Sequence, residues 1–308
     1  MIHYPTFDLF FPTLPFRGRK PKVVTIHDVI PLEFKNHYPV GVKGMINHWR
    51  QSLSLARVKK VITDSTYSAE MIEQHLGVKR DKIAVVGLAS SLEPSLVESI
   101  LAQPDLEERI AGLRAKYQLP ARYLLYVGDI NYNKNLPALI EALSSLPKDL
   151  GLAMVGKNIK PQAIPEWRAI EQALSKLAGD DAASRVVMIN DLPGSEAANL
   201  VRLYHGAAAY VQPSLSEGFG LPVLEAMACQ TPVVATRAGS LPEVVGDFGL
   251  LANPTPTGLS QAINHLLLLP DYQRQRLVEA AADWAATFSW QETARQTAAV
   301  YQEVLGQS

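Results

Sequence analysis

One cysteine, Cys229, stands in a chain of 308 residues, so no disulfide can form within the chain and a small disulfide-stapled scaffold is excluded. The same scarcity suits a reducing compartment, and the expected location is the cytoplasm. Cys229 closes an apolar stretch that begins at Leu224, where a small buried residue is expected rather than a nucleophile. No apolar run approaches the length that crosses a bilayer. The first residues lack the apolar core of a secretory signal, because Asp8 interrupts them and prolines follow. There is no Asp-x-Asp pair and no grouping of His, Cys and acids at zinc spacing, so neither a metal nor a cofactor is expected.

What is present is an ordinary globular composition, 47% hydrophobic and 19% charged, in a chain long enough for two domains. The net charge of −1 is unevenly spread: residues 1–60 hold ten Lys or Arg against three acids. A solvated basic face is one reading. Attraction to anionic lipid head groups or to a phosphorylated acceptor is the other. Nucleic acid is not an expected partner.

From residue 123 onward, short apolar runs alternate with amphipathic stretches. Runs at 123–127, 152–155, 186–189, 207–212, 232–235 and 250–252 have strand length, and stretches such as 135–146 and 195–204 have helical spacing. This alternation predicts a parallel sheet with helices on both faces. The first hundred residues repeat the pattern with fewer strands, at 23–26, 58–63 and 83–86. Between them lies a helix candidate at 41–55 with Met45, Ile46, Trp49 and Leu53 on one face. Residues 88–120 are polar and helix-like. The sequence closes on Ser289-Trp290-Gln291-Glu292, a capping box, followed by Ala294, Ala298, Tyr301 and Leu305 at helical spacing. The predicted fold class is α/β, with two doubly wound, Rossmann-like domains. The predicted boundaries are 1–115, 116–288, and a terminal helix at 289–308 packing back toward the N-terminal domain.

The strongest chemical signal runs from Pro213 to Ala228, Pro-Ser-Leu-Ser-Glu-Gly-Phe-Gly-Leu-Pro-Val-Leu-Glu-Ala-Met-Ala, after a strand and into a helix. Gly218 and Gly220 allow backbone to approach a ligand closely, with Phe219 between them. Amides at Gly220 and Leu221 open the helix and point at an anion. Glu225 lies one turn inside that helix, and its side chain leans back toward the start. Glu217 comes from the loop. Two acceptor-only carboxylates beside an anion site suit sugar and ribose hydroxyls.

In these residues the chain resembles the retaining, GT-B-fold glycosyltransferases of "glycosyl transferases group 1", whose hallmark is two glutamates separated by seven residues, as Glu217 and Glu225 are. The resemblance covers nearly the whole chain. It implies two domains facing a central cleft. It also implies that Glu217 contacts the donor sugar, that Glu225 contacts the nucleotide ribose, and that Gly218, Phe219, Gly220 and Leu221 hold sugar and diphosphate. The stretch from Tyr126 to Asn135, with Gly128, Asn133 and Lys134, is similar to the family's first C-terminal-domain loop, where the lysine binds the diphosphate. An arginine often found there is replaced by Asp129 or Asn133. His27, in Thr25-Ile26-His27-Asp28, resembles the family histidine that touches the donor sugar. Asp191 and Leu192, which open the stretch to Glu196, match the wall around the base. Family members carry further strands before the region matching Met1–Asp8, so the N-terminal domain is expected to be incomplete.

Two other glycine patterns are set aside. Gly151 to Asn158 nearly fits a phosphate-binding loop, but Asn158 stands where that motif needs Ser or Thr. Gly218-Phe219-Gly220 opens a dinucleotide fingerprint that Val223 breaks. The expected function is transfer of a hexose from a GDP- or UDP-sugar to a saccharide or lipid-linked acceptor, with retention, without a metal, and with His27, Lys134 and Glu217 as the catalytic group. The expected setting is the inner face of a membrane. The alternatives are a nucleotide-sugar epimerase on the same fold and a non-catalytic or truncated nucleotide-sugar-binding module.

Overall fold

The computed structural model describes residues 1–177, 185–192 and 197–306. The described residues fall into two compact units, each with its own parallel sheet. The first unit comprises Met1–Ala89, Ser216–Phe219 and the chain from Phe288 onward, and the second comprises Ser90–Leu215 and Gly220–Thr287.

The first sheet has four parallel strands in chain order: β1 (Ile2–Tyr4), β2 (Lys22–Thr25), β3 (Lys60–Thr63) and β4 (Ile83–Val85). Strand alternation divides its apolar side chains between two faces. Val24 and Val61 feed a core with Ala69 and Ile72 of the helix Thr66–Leu76, whereas Val23 and Ile62 pack with Val300 and Val304 of the helix Trp290–Gly306. The last helix starts as the capping box predicts, with the Ser289 hydroxyl accepting from Glu292 N–H at 3.1 Å. The Glu292 carboxylate turns instead to Arg295 and Gln296. The face that packs is rotated from the expected one: Tyr301 of that face packs on the core, but Ala294, Ala298 and Leu305 are exposed, while Val300 and Val304 are buried. The two β-branched residues, one turn apart, bury more apolar area than two alanines, so they choose the face.

The helix Val42–Leu55 departs further from its sequence pattern. Its predicted apolar stripe points outward, with Met45 63%, Ile46 53% and Trp49 64% exposed. The inward face is polar. The buried Gln51 carboxamide donates to the carbonyls of Asp8 and Phe11 and accepts from Leu14 N–H, and Asn47 donates to Phe10 O. With those loop groups satisfied, the helix is anchored by polar contacts along its length and by Leu55 at its end, which joins the core of the first unit.

The second sheet has six parallel strands: β5 (Arg122–Val127), β6 (Leu150–Val155), β7 (Val186–Ile189), β8 (Ala209–Gln212), β9 (Val233–Thr236) and β10 (Leu250–Ala252). Their spatial order is β10-β9-β8-β5-β6-β7, the doubly wound order with its reversal between β5 and β8. Nearly every residue of β5, β6, β8 and β9 is buried, as parallel strands covered on both faces require, while the edge strands β7 and β10 are partly exposed. The polar stretch after β4 forms two helices, Pro94–Leu101 and Leu106–Tyr117, which pack on the helix Ala197–His205 of this unit. Residues 90–115 therefore sit with the second sheet, whereas the sequence pattern had grouped them with the first. Among the described residues no helix is long and apolar enough to cross a membrane.

Candidate active site

In an open α/β sheet, ligands bind beyond the carboxyl ends of the strands where the strand order reverses. In the second unit that point lies between β5, which leads to Gly128 and Lys134, and β8, which leads to Pro213. The two loops are tied together. Asn135, in a left-handed conformation with φ 54°, donates from Nδ2 to Pro213 O at 3.0 Å and to Pro254 O at 3.2 Å. The carbonyl of buried Asn133 accepts from Leu215 N–H at 2.7 Å. Thr236, from the end of β9, donates to Ser214 O. Lys134 ends the short turn Tyr132–Lys134 and is half-buried.

Gly220 N-caps the helix Leu221–Ala228 with φ 109°, a conformation that only glycine adopts without strain. Glu225, buried in that helix, uses both carboxylate oxygens: Oε1 accepts from Ser91 at 2.5 Å and Oε2 from the Tyr204 hydroxyl at 2.8 Å. Burial pushes the Tyr204 hydroxyl pKa well up, with the Glu225 charge adding to it, so tyrosine stays the donor. Cys229 is buried, and burial raises its thiol well above the usual range, which fits an inert core residue.

A cavity of about 550 Å³ opens at the carboxyl ends of β5, β6 and β7. Val127, Gly128 and Asp129 line it after β5, Gly156, Lys157 and Asn158 after β6, and Asn190 and Leu192 after β7, with Ser91 on its wall. Asn158 donates to the Asp129 carboxylate at 3.1 Å across the mouth. Of the predicted donor-binding residues, Gly128 and Leu192 line this cavity. Asp191 is exposed beside it, Glu225 accepts from Ser91 on its wall, and Lys134 lies with the switch-point loops. Pro193 to Glu196, the rest of the predicted base-binding stretch, lie outside the described residues.

The first unit gathers a second group of polar side chains at the ends of β2 and β3. His27 follows β2, with its side chain 51% exposed. Its Nδ1–H donates to Asp64 Oδ2 at 2.7 Å, and Asp64, one residue beyond β3, is 5% exposed. The Glu217 segment joins them. Glu217 is buried, and a side chain at Gly218 would meet Asp28 Cβ and His27 O at 3.0 Å, so glycine is needed for this approach. The Gly218 carbonyl accepts from the hydroxyls of Ser65 at 2.7 Å and Ser68 at 3.0 Å. Phe219 is buried edge-on against Phe288. Burial raises the Asp28 carboxyl, and the charges of Glu217 and Glu33 push it further.

Hydrogen bonding to Asp64 is the first cause that raises His27, and burial that of Asp64. Both groups therefore hold protons more tightly in the folded chain than in the unfolded one. The stabilisation of His27 is complete below the ordinary histidine value and is lost as pH rises through the raised one. The gap in unfolding temperature between the wild type and Asp64→Asn is expected to shrink from about pH 6 to about pH 9. A gap that widens with pH contradicts the pairing.

Sequence reasoning missed Asp64, Ser65 and Ser68, although the strand ending at Asp64 was visible in it. It also missed Ser91 and Tyr204, which carry no local signal, and set aside Gly156 to Asn158, which line the cavity. Among the described residues no three His, Cys, Asp or Glu side chains come together as a metal site.

Comparison with known proteins matches residues 113–284 to the family "Glycosyl transferases group 1" and residues 1–89 to "Glycosyltransferase Family 4". The chain is 32% identical over 294 residues to the O-antigen chain mannosyltransferase B of Escherichia coli, spanning 94% of this chain and 71% of that protein. It is 27% identical over 276 residues to the serotype-specific mannosyltransferase WbdA of Escherichia coli, spanning 88% of this chain but only 32% of the relative. In fold it resembles Anabaena Alr3699/HepE in complex with UDP-glucose, with a TM-score of 0.73 and 20% identity over 92% of this chain and 72% of that one. It also resembles a sucrose-phosphate synthase from Thermosynechococcus elongatus, with a TM-score of 0.73 and 22% identity over 95% and 70%. These likenesses assign the two parallel-sheet domains to the GT-B fold class.

Proposed function

Because the chain belongs to the glycosyl transferases group 1 family, we propose that it moves a hexose from a nucleoside-diphosphate sugar to a saccharide or lipid-linked acceptor, with retention and without a metal ion. Mannose is the hexose we favour, on the strength of the mannosyltransferase relative at 32% identity. The observation that carries the reading is the switch point of the second sheet, where the Lys134 turn and the Pro213–Leu215 segment are tied by Asn135. Lys134 and the amides opening the helix at Leu221 supply positive charge to a leaving diphosphate. The sugar–diphosphate bond breaks, the acceptor oxygen bonds the same carbon, and the acceptor's proton passes to a diphosphate oxygen. His27 and Glu217 hold the sugar, and Glu225 holds the ribose.

Thermal unfolding with GDP-mannose, UDP-glucose and the free diphosphates tests the donor, since a ligand specific to the native state raises apparent stability. Stabilisation by a nucleotide sugar is expected, and no shift with any of them removes the reading. Transfer is expected to survive EDTA; complete loss that manganese restores would put a metal at the diphosphate in place of Lys134.

The outward face of Val42–Leu55 favours action at an anionic membrane. That helix has no acidic residue, and Lys43, Arg50 and Arg57 flank its apolar stripe. Like charge opposes pairing of two copies through this face and favours acidic lipid, at about 1 kcal/mol per well-placed cation. Lys60 does not belong to the face, because it pairs with Glu303 at 2.8 Å. The protein is expected to sediment with phosphatidylglycerol vesicles and not with phosphatidylcholine vesicles at low salt. Trp49→Asp is expected to abolish the difference. Equal sedimentation with both lipids disproves the contact.

A further inference from the structure

We propose that the turn after β3, from Asp64 to Ser68, positions both sugar-holding groups: Asp64 fixes the ring of His27, and the hydroxyls of Ser65 and Ser68 fix the backbone beside Glu217. The inference rests on the reading that His27 and Glu217 meet the donor sugar.

The geometry is one of convergence. His27 comes from the end of β2 and Glu217 from a segment far along the chain, yet their restraints arise within five consecutive residues. Asp64 is a buried carboxylate that accepts from the half-exposed His27. A charge is buried in such a place only where a fixed hydrogen bond compensates it. The bond holds the Nδ1 proton on the protein side and settles the ring plane, leaving the exposed edge in one orientation.

Ser65 and Ser68 are both buried and both donate to the Gly218 carbonyl. Ser65 also accepts from Ser68 N–H at 3.0 Å, as the N-cap of Thr66–Leu76. Its donor and acceptor capacities are thus both used, and the hydroxyl cannot rotate away without breaking one. The Gly218 carbonyl sits over the positive end of that helix, which favours its oxygen. Tyr67, from the same turn, donates to Glu33 Oε2 at 2.7 Å and also hydrogen-bonds Ser216, next to Glu217. Burial, with Glu33, pushes its hydroxyl up to about 12, so it remains protonated. Alanine at Gly218 would press on Asp28 and His27 O, so the two restrained segments also abut each other.

Two measurements on the whole chain test this. The first is NMR titration of the His27 imidazole, which in the wild type faces Asp64 from the end of β3, Asp28 from its own loop, and the Pro5 carbonyl. Asp64→Asn keeps shape and an acceptor oxygen but removes the charge, so the His27 pKa is expected to fall and the pH profile of turnover to move with it. The second is Ser68→Ala, alone and with Ser65→Ala. Turnover is expected to fall about 10- to 100-fold through misplacement of Glu217, with nucleoside-diphosphate affinity unchanged. Ser68→Thr, which restores the hydroxyl, is expected to recover it. Ser68→Ala alone keeps the N-cap and guards against a variant that fails to fold. An unmoved His27 pKa in Asp64→Asn, or wild-type turnover in the serine variants, overturns the proposal. Full turnover in His27→Ala and Glu217→Ala instead removes the sugar-holding roles, while the titration still reports on the Asp64 pair.

Discussion

Alanine at Glu217 is expected to cut turnover by about 10- to 150-fold, the loss of a hydrogen bond worth roughly 1.5–3 kcal/mol to a charged group. Nucleotide affinity should change little, because the donor's phosphates and base are assigned to the second unit. Alanine at Glu225 is expected to act differently. It removes the ribose contact and also strands the Ser91 and Tyr204 hydroxyls, one of them deep in the core. An unsatisfied buried hydroxyl costs about 1–3 kcal/mol, so Glu225→Ala should unfold at a lower temperature as well as bind the nucleotide more weakly. A carboxylate has about four lone-pair sites, so two protein hydroxyls leave room for a ribose. Tyr204→Phe separates the effects, since it removes the stability partner and leaves the carboxylate. Calorimetry, single-turnover rates and thermal unfolding on the three variants decide the matter. Wild-type affinity in Glu225→Ala together with wild-type turnover in Glu217→Ala would sink both assignments.

Gly156→Ala is expected to have the largest effect at the cavity. Gly156 follows β6, and its N–H donates to Ile189 O at 3.0 Å, while Gly128 after β5 donates to Val155 O at 2.9 Å. A methyl group on Gly156 would overlap the Gly128 carbonyl oxygen and come within 3.1 Å of Ile159 Cγ1. The obstacle is main chain, which cannot swing aside as a side chain does, so the ends of β5 and β6 must separate. Overpacking of this kind costs roughly 1–3 kcal/mol, and here it opens the strand ends that line the cavity. The variant should unfold earlier and should lose stabilisation by nucleotide. An unchanged unfolding temperature with full nucleotide protection would show that the two loops yield without cost.

Much of this was legible in the sequence, for reasons that are local. A strand buried on both faces reads as an apolar run, and glycine, proline or a polar residue ends it. Val186–Ile189 and Leu250–Ala252 lie where the pattern put them, and the other strands of the second sheet differ by a residue or two at their ends. The loops after β5 and β8 were legible because their residue types carry the chemistry. What escaped depends on partners distant in sequence. Periodicity says which side chains share a helix face, not which face meets the core. In Val42–Leu55 the loop at 8–14 offers carbonyls and amides that Gln51 and Asn47 satisfy, so the polar side turned inward. β1 has three residues at a sheet edge and little to pattern. The grouping of Ser216–Phe219 with the first sheet depends on Ser65 and Ser68, some 150 residues away.

The Trp290–Gly306 helix carries a consequence for how the chain is made. Val300 and Val304 complete a core whose other members, Val23, Ile62 and Val86, are synthesised long before them. At about 5–20 residues per second, the stretch from Val86 to Val300 takes roughly 10 to 40 s to emerge from a ribosome. Throughout that interval one face of the first sheet lacks the cover that Val300 and Val304 supply, and its apolar side chains are available to chaperones, to other nascent chains, or to the wrong helix. The core of the second sheet also joins distant residues, Leu124 to Leu266, but its last members emerge before Val300. The unit that is first in the sequence is therefore the last to reach its native state during synthesis, and a ribosome that stalls before the final helix releases a chain with a sticky first domain.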